Sequence, residues 1–252
     1  MKTYGLIGYP LSHSFSGTYF AEKFLREGIT DAEYKLFPIE NINLLSSLIA
    51  DLNNLAGLNV TIPYKQQVIP FLNECDDAVR EIGAANTIKI ERFEGQTRLK
   101  GYNTDVYGFA ESLKPLLAPG QKSGKALILG TGGAARAVEW VLKRMDFNVI
   151  YVSRNPSKTG QISYSEVDED LIRQALLIVN SSPSGMHPRI EECPDIPYRY
   201  ITRDHILYDL VYNPGLTLFL KKGAGQGAKI KNGLEMLHLQ AAKSWEIWTK
   251  PK

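Results

Sequence analysis

An apolar run, KALILG (125–130), passes through a glycine turn into an amphipathic segment, GAARAVEWVLKRM (133–145), and then into a second apolar run, NVIYVS (148–153). Strand, tight turn, helix and strand in that order make a βαβ unit, whose two strands are parallel and whose crossover is right-handed. Parallel strands carry helices on their faces, so this region commits the chain to α/β layering. Within the turn, Gly130, Gly132 and Ala135 have the G-x-G-x-x-A spacing. Gly130 can take the tight-turn dihedrals, Gly132 lets a pyrophosphate approach the backbone, and Ala135 permits close helix–strand packing. The helix N-terminus adds free N–H groups and partial positive charge. Gly130, Thr131, Gly132, Gly133 and Ala134 are therefore candidate nucleotide-binding residues; a plain tight βα turn is the alternative.

At the tip of the second strand, an Asp or Glu would accept hydrogen bonds from the ribose of NAD and repel the 2′-phosphate of NADP. The chain instead reads Ser153-Arg154-Asn155, with Lys158 close behind. Arg154 can pair with a phosphate through a bidentate, charge-assisted fork. Such bonds contribute on the order of 1.5–3 kcal/mol each, enough for at least a roughly tenfold cofactor preference. A solvated loop arginine is the other reading. The combination with the glycine turn points to NADP, with Ser153, Arg154, Asn155 and Lys158 as its 2′-phosphate donors.

Strand–helix alternation continues on both sides of this unit. YGLIGY (4–9), EYKLFPI (33–39) and GLNVTIP (57–63) read as strands, and NTIKI (86–90) with TRLKGYN (97–103) as a hairpin joined by ERFEGQ. Helices are expected from about Ser16, over 43–54 and over 104–117. APGQKSG (118–124) reads as a loop or hinge. ALLIVNSS (175–182) and HILYDLVY (205–212) are further strands, and 233–248 is a terminal helix. With 252 residues there is room for two domains, divided between about 105 and 124. The expected fold class is α/β. An N-terminal domain has a mixed, mostly parallel sheet, a C-terminal domain is Rossmann-type, and a cleft lies between them.

Composition narrows the partners. Hydrophobic residues at 44% and charged residues at 22% are globular values, and the net charge of +2 comes from interleaved acids and bases. Neither nucleic acid nor a membrane is an expected partner. No apolar run approaches the roughly 20 residues that span a bilayer, and the N-terminus lacks signal-peptide character. Cys75 and Cys193 have neither metal-ligand spacing nor a disulfide framework, and His13, His187, His205 and His238 are scattered. A cytoplasmic protein without a metal is expected.

The first half places polar groups where a purely structural pattern would not. Ser14 and Ser16, in HSFS, stand at a helix start. One serine serves as a cap; two suit a ligand carboxylate. NVTIPYK carries Asn59, Thr61 and Lys65. Lys65 falls in the first turn after Pro63, where a helix dipole disfavours a cation. GAANT contributes Asn86; GYNTD contributes Asn103 and Asp105, the latter also a possible helix cap. Together these residues describe a site for a small polyhydroxylated acid, with a Lys–Asp pair suited to proton transfer at a carbonyl or alcohol. Beside an NADP domain, that implies hydride transfer between nicotinamide and a secondary alcohol or ketone.

The blocks GYPLSHSFS, LNVTIPYK, GAANT, YNTD, GTGGAARA, SRNPSK, VNSSPSGM, DLVYNP and GLEMLHLQA occur in the order found in shikimate dehydrogenases, which the chain resembles over essentially its whole length. That family reduces 3-dehydroshikimate to shikimate with NADPH, on the route to chorismate and the aromatic amino acids. The resemblance implies that Ser14 and Ser16 hold the substrate carboxylate. It implies that Asn59, Thr61, Asn86 and Gln240 bind hydroxyls or frame the ring, and that Tyr212 lines the carboxylate side. Lys65 and Asp105 become the catalytic pair. Asn180, Ser181, Ser182, Met186 and Gly233 lie near the nicotinamide. The last helix returns to the first domain, so that 1–105 with 234–252 binds substrate and 106–233 binds NADP. The chain departs from the family pattern at Gly17, Val106, Leu210, Leu218 and Glu235, none of them a proposed ligand. The segment 157–170 looks trimmed.

Other readings are a quinate/shikimate dehydrogenase using NAD, a folate-type dehydrogenase/cyclohydrolase, and a non-catalytic regulator binding shikimate and NADP. The intact Lys65–Asp105 pair favours an enzyme. Monomer and homodimer are both compatible with the sequence.

Overall fold

The computed structural model describes residues 1–11, 15–121, 123–157 and 159–250. Its chain forms two units, 1–107 with 240–252, and 108–239.

The first unit runs β1 (Lys2–Gly8), α1 (Phe15–Glu27), β2 (Ala32–Pro38), α2 (Leu44–Asp51), β3 (Leu55–Val60), β4 (Glu74–Cys75), α3 (Asp77–Ile82), β5 (Thr87–Phe93), β6 (Gln96–Tyr102) and α4 (Asp105–Leu113), the last crossing into the second unit. The sheet order is β2-β1-β3-β5-β6-β4. β1 is parallel to β2 and β3, and β4 to β6, whereas β5 is antiparallel to β3 and β6. Antiparallel β5 enters because a hairpin closes directly onto β6. Its turn is shorter than expected, two residues with positive φ at Glu94 (48°) and Gly95 (77°), the handedness that matches strand twist.

The second unit adds β7 (Gly124–Leu129), α5 (Gly133–Arg144), β8 (Phe147–Ser153), β9 (Gln161–Ser163), α6 (Glu169–Gln174), β10 (Ala175–Asn180), β11 (Ile206–Asp209), α7 (Leu218–Gly225), β12 (Lys229–Lys231) and the start of α8 (Leu234–Thr249), a helix that belongs to the first unit from Gln240 onward. Its six strands, in the order β12-β11-β10-β7-β8-β9, are all parallel. This is the doubly wound Rossmann order, whose reversal between β7 and β10 opens a crevice at the strands' carboxyl ends. Buried runs explain it: Ala126 to Leu129 and Leu177 to Val179 are fully buried, as strands covered on both faces must be.

Some expectations shift. The helix expected over 43–54 ends at Asp51, because the chain needs Leu55 onward for β3. The helix expected to reach 117 ends at Leu113, and Lys114–Leu116 continue as a single 3-10 turn around Pro115. Short elements without their own periodicity, β4, β9, β12, α3, α6 and α7, escaped the sequence reading.

In the first unit, Ile7, Leu45, Leu55, Leu58, Val60 and Ile88 form one core. Tyr4, Phe20, Phe24 and Trp248 form another, which brings the end of α8 onto β1 and α1. The Tyr4 ring stacks on Trp248 at 5.0 Å and meets Trp245 edge-on at 5.1 Å, geometries that add to simple burial. Trp248 Nε1 donates to the Ile88 carbonyl at 2.9 Å, satisfying its polar end.

Candidate functional site

Lys65 lies just beyond β3. The chain there makes successive turns over 62–68, with Tyr64 N donating to Thr61 O and Val68 N to Tyr64 O. There is no regular α-helix at that point, so the expected helix-dipole effect on Lys65 is withdrawn. Its carbonyl accepts from Ala85 N at 2.7 Å, which ties the turn to the strand entering β5. Lys65 Nζ donates to Asp105 Oδ2 at 2.6 Å. Asp105 is the first residue of α4 and 8% exposed, and its carboxylate benefits from the helix N-terminus.

The other carboxylate oxygen, Asp105 Oδ1, accepts from Asn86 Nδ2 at 2.9 Å. The orientation of that amide is determined by the backbone. Asn86 Oδ1 accepts from Thr104 N at 2.7 Å, and a backbone N–H can only donate. Asn86 must therefore turn its NH₂ toward Asp105, and also toward Thr104 Oγ1 and Gln240 Oε1 at 3.0 and 3.3 Å.

Behind this pair is a buried hydroxyl and amide cluster. Tyr34 donates to Asn59 Oδ1 at 2.8 Å, and Asn59 Nδ2 donates to Ser244 Oγ at 2.9 Å. Ser244 Oγ lies 2.7 Å from Thr87 Oγ1 and 3.3 Å from Thr104 Oγ1, and donates to Gln240 O at 3.0 Å. Burial pushes the Tyr34 phenol far up, and a hydrogen bond with Ser16 works in the opposite direction. The cluster thus runs from Ser16 through Asn59 and Ser244 to Asp105 and Lys65.

Of the expected site residues, Ser16, Asn59, Thr61, Lys65, Asn86, Asp105 and Gln240 all belong to the first unit, where the bonds just described join all but Thr61. Thr61 leaves the sheet beside Gly8, its N–H bonded to Ile7 O. Ser14 lies outside the described residues. Asn103 does not join the cluster: its Nδ2 donates to Ala84 O at 2.9 Å. Tyr34, Thr87, Thr104 and Ser244 were missed by the sequence reading. Ser244 carried one signal, its place four residues after Gln240 on the same helical face.

In the second unit the glycine turn sits at the sheet's reversal point. Gly130 has φ +114°, and a Cβ there would stand 3.1–3.3 Å from Ser181 and Ser182. Ser181 N and Oγ both donate to Leu129 O at 3.0 Å, holding the loop after β10 against the end of β7. α5 begins at Gly133 with Gly132 as its cap, so no side chain occupies its first-turn N–H groups. A Cβ at Gly132 or Gly133 would meet nothing within 4 Å, so the space beside the turn is open.

A cavity of about 350 Å³ adjoins this turn, lined by Gly130, Thr131, Gly132, Ser153, Arg154, Asn155, Tyr164, Ser181 and Ser182 among others. A second, of about 490 Å³, shares Arg154, Tyr164 and Ser182 and adds Arg189. Exposed Arg154, hydroxyls and uncapped N–H groups form a donor set that fits an anionic dinucleotide. Tyr164 was missed because it comes from an isolated 3-10 turn after β9. Ala134 lies in the first turn of α5, and Lys158 is outside the described residues.

The remaining expected residues play different parts. Asn180 is fully buried, with every polar atom used inside the protein, so its side chain supports the loop instead of facing open space. Met186, on that loop, is 47% exposed, and Tyr212, after β11, is 40% exposed. Gly233 passes so close to the strand exit that a Cβ would stand 2.2 Å from Leu210 O. Among the described residues no group of His, Cys, Asp or Glu could hold a metal ion, and no helix is long and apolar enough to cross a membrane.

Residues 6–88 match the family model for the shikimate dehydrogenase substrate binding domain. The shikimate dehydrogenase (NADP(+)) of Halothermothrix orenii is 38% identical over 266 residues, covering 97% of this chain and 90% of that protein. Among solved structures, shikimate 5-dehydrogenase from Thermus thermophilus, in complex with NADP(H) and shikimate, superposes with a TM-score of 0.83 at 30% identity, covering 99% of this chain and 94% of that one. Quinate dehydrogenase from Corynebacterium glutamicum, in complex with NAD, has a TM-score of 0.87 at 26% identity, covering 98% and 93%.

Proposed function

The chain belongs to the shikimate dehydrogenase family, and from that premise we propose that it catalyses the reversible NADP-dependent reduction of 3-dehydroshikimate to shikimate, a step toward chorismate and the aromatic amino acids. The observation that carries this reading is the Lys65–Asp105 pair at 2.6 Å, held by an Asn86 amide that cannot flip. Bound NADPH supplies the hydride. The Lys65 ammonium stabilises the negative charge developing on the carbonyl oxygen and gives it a proton. In the reverse direction neutral Lys65 takes the hydroxyl proton. Asp105 orients Lys65 Nζ, and Asn86 in turn orients Asp105.

Ser14 and Ser16 hold the substrate carboxylate, with Tyr212 on the same side. Asn86, Thr61 and Gln240 meet the ring hydroxyls. Asn59, whose amide is engaged by Tyr34, Thr87, Ser244 and the Asn86 carbonyl, frames the ring. Gly130 to Ala134 hold the pyrophosphate, and Ser153, Arg154, Asn155 and Lys158 hold the 2′-phosphate. Ser181, Ser182, Met186 and Gly233 border the nicotinamide, with Asn180 behind them. On this assignment 1–105 with 234–252 is the substrate domain and 106–233 the NADP domain of a cytoplasmic enzyme, monomer or homodimer.

The competing substrate is quinate with NAD, which the Corynebacterium glutamicum neighbour makes concrete. Arg154 at the strand tip, where NAD sites place an acid, favours NADP. Shikimate and quinate, each with NADP+ and NAD+, separate these readings by absorbance at the reduced-nicotinamide band. Shikimate with NADP+ is expected to be fastest. Equal rates with NAD+ overturn the cofactor assignment, and binding of both ligands without absorbance change identifies a non-catalytic regulator.

A further inference from the structure

We propose that Asp209 is a positioning residue for the cofactor: through Asn180 it fixes the loop 181–186 beside the glycine turn, and so sets affinity for NADP. The inference rests on the reading above that the cavity at this turn takes NADP.

Asp209 ends β11 and stands in register with Asn180 at the end of β10. Both are 0% exposed, at the carboxyl edge where a doubly wound sheet binds its ligand. Asp209 Oδ1 accepts from Asn180 Nδ2 at 2.9 Å and from Val211 N at 3.0 Å, and Oδ2 accepts from Thr217 Oγ1 at 2.5 Å. The carboxylate accepts only, so it determines which way the Asn180 amide faces. Asn180 Oδ1 must then point at the loop, where it accepts from Ser182 N at 3.1 Å and Ser182 Oγ at 2.7 Å. Asn180 Nδ2 also donates to Ser184 O at 3.2 Å, and Ser184 N donates back to Ser182 Oγ at 3.3 Å. One buried carboxylate thus dictates the course of the loop that lines the cavity with Ser181 and Ser182.

Burial pushes the Asp209 carboxyl up to about 6, while its hydrogen bonds pull the other way. A buried carboxyl kept at this cost, where an apolar strand end would pack more cheaply, is consistent with a role beyond packing.

The test measures NADP+ affinity by isothermal titration calorimetry on the full chain, with thermal melting as a fold control. Asp209→Ala is expected to raise Kd about tenfold or more, the effect of losing a charge-assisted buried hydrogen bond. Asp209→Asn keeps an oxygen facing Asn180 and Val211, and is expected to return Kd to within about threefold of wild type. Thr217→Val removes a partner on the far oxygen and is expected to leave Kd within about twofold. A merely structural role would lower the folded fraction and the melting temperature without changing Kd. An Asp209→Ala protein that melts early but binds NADP+ as wild type does therefore overturns the inference, as does failure of Asp209→Asn to recover binding. If Asp209→Ala does not fold, Asn180→Ala is read by the same criterion. Wild-type protein that binds no NADP+ overturns the cofactor reading itself; wild type that binds it beside an unaffected variant overturns only the role of Asp209.

Discussion

The two regions that hold the candidate site residues are built in opposite ways. In the first unit the polar groups are side chains, buried and bonded to one another: Asn59, Asn86, Thr87, Thr104 and Ser244 are each at most 5% exposed. In the second unit the candidate ligand-facing groups are backbone N–H groups and an open glycine turn, with Arg154 exposed at the rim. A preorganised side-chain cluster suits a reaction that needs one proton donor in one place. A backbone cradle suits a phosphate, which needs many donors and little discrimination among them. Asn180 and Asp209 depart from this pattern in the second unit, as buried side chains bonded to each other behind the loop 181–186.

On this contrast, damage to the first unit is expected to appear in turnover and stability, and damage to the second in cofactor affinity. Lys65→Ala tests the largest effect. Turnover is expected to fall about 10²–10⁴-fold with little change in shikimate affinity. Turnover within a few-fold of wild type would remove Lys65 from the chemistry.

Ser244→Ala deprives Asn59 Nδ2 and Thr87 Oγ1 of their shortest partner, leaving contacts of 3.2–3.3 Å, and is expected to cost about 0.5–1.5 kcal/mol of stability in denaturant unfolding. A neutral result would mean the cluster repacks around water and is not a rigid platform.

Arg154→Ala is expected to raise KM for NADP+ about tenfold while leaving NAD+ nearly unchanged. Equal changes for both cofactors would place Arg154 at the shared part of the dinucleotide.

The smallest expected effect is a pH dependence from Asp209. Its folded-state value of about 6 lies above the ordinary 3.8. The associated stability is therefore full below about 3.8 and lost as pH rises through about 6. Between pH 5 and 7 this contributes a loss of about 1 kcal/mol, which Asp209→Asn should abolish. Parallel stability–pH profiles for the two proteins would show that the carboxyl titrates normally.

Legibility in the sequence followed the same division. The Rossmann half could be read because its signals are local: a strand, a turn needing positive φ at Gly130, and a helix, all within 30 residues. Lysine, asparagine and aspartate near strand ends were visible as candidates as well, beside their ordinary uses as surface residues, turn formers and caps. The bonds that make them a site were not. Lys65 and Asp105 are 40 positions apart, and Asn59 and Ser244 are 185. Asp209 looked like one letter of an apolar strand, and Asn180 like a cofactor contact, until the register of β10 and β11 set them side by side.

The sequence by itself determined the α/β layering, the glycine turn and the absence of an acid at the strand tip, because periodicity, glycine geometry and charge act over a few residues. Only the tertiary structure decided that Ser244 joins the polar cluster around Asn59 and Asn86, that the Asn86 amide has one possible orientation, and that a buried carboxyl stands behind the loop 181–186. Those facts depend on which distant donors meet which acceptors out of water, and that pairing exists only once the sheets have formed.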